Sequence, residues 1–274
     1  MTTKPVKIGS VEIGGGAPLA LIAGPCVIES ESHALRMAEI IAGVAGELQV
    51  PWIFKASYDK ANRTSIESYR GPGIEHGLRI LSKVREQLGC PVLSDVHSIG
   101  EIEQAKDILD IMQIPAFLCR QTDLIHAAVL TGRIVNLKKG QFLSPAEMGQ
   151  VVAKALAMNG DKIVVTERGT TFGYNNLVAD MRSIPILKES GFPVIFDATH
   201  SVQLPGGGGD KSGGQREFAP VLARCAIAAG ADGIFIETHP RPDSAPSDGP
   251  NMIPLADMPS VLKSLHRVFE AVRE

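Results

Sequence analysis

The chain has 274 residues, 44% of them hydrophobic and 21% charged, with a formal net charge of -3. That is enough apolar material for a substantial core within one domain spanning 1–274, while the near-neutral balance without basic runs excludes the electrostatic footprint of a nucleic-acid binder. No window of about 18 apolar residues and no secretory leader occur, so no membrane partner is expected and the cytoplasm is the expected compartment.

Along the chain, KIGSVEIGG predicts a two-stranded hairpin over 5–13 with a Gly-Ser turn. Eight short apolar runs follow: 19–23 (LALIA), 51–55 (PWIFK), 91–94 (PVLS), 110–114 (DIMQI), 133–137 (RIVNL), 162–166 (KIVVT), 193–197 (PVIFD) and 232–236 (DGIFI). Turn residues bound each run, and segments of helical periodicity separate them at about 31–47, 74–88, 100–107, 122–131, 145–159, 177–189, 216–229 and 257–272. Ser30 before the first helix, and Ser144 with Pro145 and Glu147 before the fifth, read as N-terminal caps. Eight repeated βα units with nearly continuous apolar strands predict an α/β fold, a single (β/α)8 TIM barrel whose bottom the N-terminal hairpin could close. The glycine-rich stretch 205–215 (PGGGGDKSGGQ) follows the seventh strand and reads either as a flexible linker or as a lid.

Barrels of this type gather reactive groups at the C-terminal ends of their strands. After successive runs come Cys26; Lys55, Lys60, Asn62 and Arg63; Asp95 and His97; Gln113; Lys138; Arg168; His200; and Glu237 with Asp248. A lone lysine or arginine in such a place is as readily a solvated charge. Together, however, Lys55, Lys60, Lys138 and Arg168, with Arg63 nearby, would repel one another without an anion among them, which predicts a phosphorylated substrate. Arginine forks and movable lysine charges suit a ligand bearing both carboxylate and phosphate.

A second group joins Cys26, His200, Glu237 and Asp248. Strands one and eight adjoin in a closed barrel, and this donor mixture suits a divalent transition metal better than magnesium; the plain alternative is an inert buried Cys26 and a hydrogen-bonded His200. Asp95 reads as catalytic, orienting a hydroxyl or relaying a proton, whereas His97 reads as packing. The cysteines show no paired spacing, so no disulfide framework is expected, and Cys90 and Cys225 read as core.

The segments FKASYDKANRTS (54–65), LSDVH (93–97), QIPAFLCRQTDL (113–124), NLKKGQF (136–142), FDATHSVQ (196–203), IFIETHP (234–240) and SDGPNM (247–252) closely resemble the 3-deoxy-D-manno-octulosonate-8-phosphate synthase family over nearly the whole chain. That resemblance implies a barrel enzyme, usually a homotetramer, that joins phosphoenolpyruvate to arabinose 5-phosphate for lipopolysaccharide synthesis. It implies that Lys60, Lys138, Arg168, Gln113 and Lys55 bind phosphoenolpyruvate and that Asn62, Arg63 and Thr64 bind the pentose phosphate. Thr64 stands where many relatives carry serine. Catalytic work is expected of Lys60, Asp95, Lys138 and His200. A cysteine rather than asparagine at position 26 resembles the metal-dependent class, with Cys26, His200, Glu237 and Asp248 as ligands of a divalent metal ion (Mn, Zn, Fe or Cd). The related 3-deoxy-D-arabino-heptulosonate-7-phosphate synthases, which take erythrose 4-phosphate, typically carry a KPRTS-like segment where this chain has KANR. A non-catalytic phosphosugar-binding barrel is the remaining alternative.

Overall fold

In the computed structural model, which describes residues 2–206 and 213–273, every predicted strand forms within a residue of its expected place, except that the eighth runs three residues further. The strands are β1 (Ala20–Gly24), β2 (Trp52–Lys55), β3 (Val92–Asp95), β4 (Ile111–Ile114), β5 (Ile134–Lys138), β6 (Ile163–Glu167), β7 (Val194–Asp197) and β8 (Gly233–His239). Each pairs in parallel with the next, and β8 returns to β1 through Gly233↔Ala20 to Glu237↔Gly24, which closes a (β/α)8 barrel. The intervening helices are α1 (Glu31–Glu47), α2 (Ile74–Leu88), α3 (Ile99–Ala105), α4 (Thr122–Leu130), α5 (Met148–Leu156), α6 (Ser183–Lys188), α7 (Ala219–Ala228) and α8 (Met258–Ala271). None is long and apolar enough to cross a membrane.

Local chemistry accounts for the boundaries. The Ser30 side chain accepts the His33 backbone N–H at 3.1 Å and starts α1. Ser144 and Glu147 form a reciprocal capping box, with Glu147 N donating to Ser144 Oγ at 3.3 Å and Ser144 N to Glu147 Oε2 at 2.7 Å. The helix expected over 177–189 is instead confined to α6. Leu177–Val178 pairs antiparallel with Thr170–Thr171, and the chain turns between them through Gly173 (φ 69) and Asn175 (φ 53), left-handed conformations that a helix cannot contain. Residues 207–212, the middle of the glycine-rich stretch, lie outside the described residues; on either side of them Gln203–Leu204 pairs with Gly213–Gly214.

The lumen is filled from below. Hairpin residues Val6, Ile8, Val11 and Ile13 form one buried cluster with Ala20, Ile22, Ile53, Leu93, Ile111, Ile134, Val164, Ile195 and Phe235, the inward positions of the eight strands. A separate larger cluster fills the space between strands and helices. The hairpin is thus an apolar plug under the barrel, and the lumen becomes polar only toward the C-terminal ends. Replacing fully buried Ile13 by alanine leaves a void in that plug, and urea unfolding is expected to show a loss of about 2–5 kcal/mol.

Candidate active site

Side chains two residues apart on a strand share a face. Applied to the lumen, that period converts the apolar layer into a polar one at its next step. Ile53 is followed by Lys55, Leu93 by Asp95, Ile111 by Gln113, Ile134 by Asn136 and then Lys138, Val164 by Thr166, Ile195 by Asp197, and Phe235 by Glu237; all these polar residues are buried. On β1 the equivalent position is Gly24. A methyl there would stand 1.9 Å from the Lys55 carbonyl oxygen, so only glycine lets β1 lie this close to the Lys55 backbone.

The buried charges are paired. Lys55 Nζ donates to Glu237 Oε1 at 2.7 Å and to the Cys26 carbonyl at 3.1 Å. Lys138 Nζ lies 2.6 Å from Asp197 Oδ2 and 4.2 Å from the centre of the Phe235 ring. Burial works against ionisation of Asp197, but His200 and Lys138 overcome it and hold the carboxyl far below its ordinary range. Asp95 behaves alike: burial opposes its charge, yet Lys55, Lys60 and Lys138 keep it ionised. It accepts from Ser57 Oγ at 2.6 Å and from the Gln113 amide. Gln113 in turn accepts from Asn136 at 2.8 Å, and Asn136 from Thr166 at 2.7 Å, so one hydrogen-bonded chain runs across four strands.

These pairs correct the expectation that all five cations await an anion. Carboxylates already neutralise Lys55 and Lys138. Among the described residues, the donors left over belong to Arg168, whose Nε and Nη1 are buried without partners while Nη2 donates to Gln203 at 2.9 Å; to Lys60, whose nearest carboxylate is Asp248 at 4.0 Å; and to Nε of Arg63. Arg63 is otherwise tied to Ser247 Oγ at 2.5 Å and the Pro246 carbonyl at 2.9 Å. Asn62 and Thr64 stand exposed at the rim. A cleft of about 550 Å³ opens above the lumen, lined by Lys55, Lys60, Asn62, Arg63, Thr64, Asp95, Gln113, Lys138, Arg168, His200 and Asp248. His97 also lines it, and Glu101 takes both its backbone N–H, at 3.0 Å, and Nδ1, at 2.9 Å.

The sulfur, imidazole and carboxylate groups meet at one edge of this cleft. Ligand atoms of Cys26, Glu237 and Asp248 lie within 4.8 Å of one another, and His200 Nε2 approaches Glu237 Oε2 at 3.7 Å. Asp248 reaches inward from a left-handed backbone (φ 51), bringing Oδ2 to 3.1 Å from Cys26 Sγ. Three features fit a divalent cation. Among the described residues, Glu237 Oε2 is buried with no hydrogen-bond partner. His200 turns Nδ1 to Asp197 Oδ2 at 2.8 Å and Nε2 toward Glu237 Oε2 at 3.7 Å, an orientation typical of ligating histidines. Cys26 Sγ, buried beside the Glu237 and Asp248 carboxylates, completes a sulfur, imidazole and carboxylate donor set that suits a transition metal.

The residues named from the sequence line this cleft or, for Cys26 and Glu237, stand at its edge, while Asp197, Asn136, Thr166 and Ser57 went unnamed. All but Ser57 sit on inward positions that the two-residue alternation identifies. Cys90 is buried as expected; Cys225 is exposed on α7 and is not a core residue.

The sequence model described as the DAHP synthetase I family matches residues 3–274. Among curated relatives, proteins named 2-dehydro-3-deoxyphosphooctonate aldolase from Trichlorobacter lovleyi, Geotalea daltonii and Geobacter sulfurreducens are 60%, 58% and 57% identical. The alignments span 98–99% of this chain and 99–100% of each relative.

With chelator present, Lys55→Met strands Glu237 as an unpaired buried charge, and denaturant unfolding is expected to show a loss of about 3–5 kcal/mol. Adding Glu237→Gln to that variant removes the stranded charge and is expected to restore most of the loss. A double variant no more stable than Lys55→Met would show that the pair contributes little.

Proposed function

This chain belongs to the DAHP synthetase I family, and from that premise we propose that it condenses phosphoenolpyruvate with D-arabinose 5-phosphate and water, yielding 3-deoxy-D-manno-octulosonate 8-phosphate and phosphate for lipopolysaccharide synthesis. The observation that carries the reading is full-length identity of 57–60% to relatives named for the aldolase of that eight-carbon acid. The cleft's chemistry supports it.

In the reaction, C3 of phosphoenolpyruvate bonds to the aldehyde carbon, a water oxygen bonds to C2, and the C2–O bond to phosphate breaks. Arg168 and Lys60 supply unpartnered cationic donors for the carboxylate and phosphate of phosphoenolpyruvate, and Lys138 and Lys55 add charge from beneath. Gln113 keeps one amide hydrogen for the substrate after meeting Asp95. Asn62, Arg63 and Thr64 at the rim take the distant phosphate of the pentose. Holding two anions in contact replaces a bimolecular encounter by an oriented one, and the same cations stabilise charge on the departing phosphate. Asp95, held ionised, accepts a hydrogen bond from a substrate hydroxyl and is not a proton donor at neutral pH. His200, with Nδ1 on Asp197, holds its orientation at the cleft edge.

Cys26, His200, Glu237 and Asp248 would hold a divalent cation, which when bound supplies Lewis-acid polarisation of a nearby oxygen. We place the reaction in the cytoplasm, where phosphorylated substrates are retained, and read the protein as a homotetramer. Exposed Phe117, Phe142, Phe172 and Tyr174 offer apolar surface for subunit contact.

Phosphate release on mixing the two substrates tests the function: arabinose 5-phosphate is expected to support turnover and erythrose 4-phosphate to support little. A preference for the tetrose would move the chain to the heptulosonate branch, and no turnover with either aldose under any metal would leave a binding protein.

The metal reading has its own check. Chelation is expected to abolish activity, and manganese, zinc, iron or cadmium to restore it. Cobalt(II) titration should bring a thiolate-to-cobalt charge-transfer band that Cys26→Ala lacks. Unchanged activity of the chelated protein would exclude a metal requirement.

A further inference from the structure

Lys139 is as thoroughly buried as any residue of the barrel, yet it does not belong to the cleft. It follows Lys138 on the chain, so the two-residue alternation sends it to the opposite face, outside the lumen. There its ammonium lies among five oxygens: Gly169 O at 2.9 Å, Leu143 O and Thr170 Oγ1 at 3.1 Å, and Gly140 O and Glu167 Oε1 at 3.4 Å. Burial pulls its pKa down, with Glu167 opposing. An apolar side chain of equal length would fill this space without the desolvation cost. What it could not do is join the loop after β5 to the loop after β6.

Glu167 completes the device. Its Oε1 accepts the backbone N–H of Arg168 at 2.9 Å and of Gly169 at 2.6 Å. Residues 168–169 are therefore held on the amide side by Glu167 and on the carbonyl side by Lys139, across a turn that Gly169 makes with φ +86. Arg168 stands at the centre of this clamp. Among the described residues its guanidinium has one hydrogen bond, to Gln203, so the side chain's aim into the cleft depends on where its backbone is fixed.

We infer that Lys139 and Glu167 form a buried positioning pair that fixes the backbone of Arg168 and thereby aims its free guanidinium donors at phosphoenolpyruvate. The ligand named rests on the function proposed above; the clamp itself does not. Neither residue touches substrate, and both act through Arg168.

The test uses the full-length protein with Lys139→Met, which keeps the chain length and removes charge and donors. Misplacing a binding group by about an ångström can cost up to about a hundredfold, so KM for phosphoenolpyruvate should rise about tenfold or more while that for arabinose 5-phosphate stays within about twofold. Combined with Arg168→Lys, the effect should be far less than additive. Hydrogen exchange gives a readout independent of substrate: the amides of Arg168 and Gly169 should lose protection while strand β6 keeps its own.

Wild-type protection at those amides in folded Lys139→Met would overturn the inference, as would a parallel rise of both KM values or an additive double variant. Should Lys139→Met fail to fold, Thr170→Val, which removes one acceptor at the surface side, decides by the same exchange and the same KM split. If the wild-type protein turns over neither substrate, the proposed function falls, and the exchange result still decides the clamp.

Discussion

Charged side chains lie out of water at the mouth of this barrel, and everything above the apolar plug depends on which of them are paired and which are left open. Removing a carboxylate or an ammonium from water costs several kcal/mol. Lys55 and Glu237, both almost wholly buried, offset that cost against one another at 2.7 Å. The same contact leaves Glu237 divided, one oxygen on the ammonium and the other unpartnered toward His200 and Cys26. A single ion pair thus anchors strand β2 to strand β8 and presents an open ligand atom to the cleft. Asp197 works similarly between Lys138 and His200.

Rigidity follows from how the pairs are joined. The chain from Ser57 through Asp95, Gln113 and Asn136 to Thr166 crosses adjacent strands, and a connected buried network of this kind specifies one geometry. Phe235 lies directly beneath, under both Lys138 and Lys55, so the uppermost apolar side chain also faces the cations. Lys55, Asp95, Gln113, Lys138 and Glu237 sit at strand ends held by ladders on both sides, whereas Lys60, Asn62, Arg63 and Thr64 share the loop after β2 and Arg168 lies one residue beyond β6.

Much of this was legible in the sequence because parallel strands have a plain signature: short apolar runs with a polar residue at their ends. Lys55, Asp95, Lys138 and Glu237 were found that way, and Gln113 one residue before the end of its run. Asp197, which ends the run 193–197, and Asn136, inside 133–137, were passed over, although alternation marks both as inward. The span 177–189 misled because a left-handed turn at Gly173 and Asn175 diverts the preceding chain into a hairpin, which helical periodicity does not register. Cys225 misled differently. An alanine-rich helix offers little contrast between its faces, so an exposed cysteine looks like a core one.

Charge balance links the two halves of the cleft. Near the lumen, Lys55, Lys60, Arg63, Lys138 and Arg168 face Asp95, Asp197, Glu237 and Asp248, five cations against four carboxylates. The rim carboxylates Asp59 and Asp243 are matched by their own partners, Arg70 and Arg216. A surplus of one positive charge is little to hold two phosphorylated substrates together. On the proposed reading, a divalent cation at Cys26 would add two charges and displace one thiol proton, roughly doubling the positive surplus. The donor set beside Cys26 and the donors of Arg168 and Lys60 would then serve one electrostatic task, and a sulfur donor would let that surplus arise without another carboxylate in a mouth that already holds four.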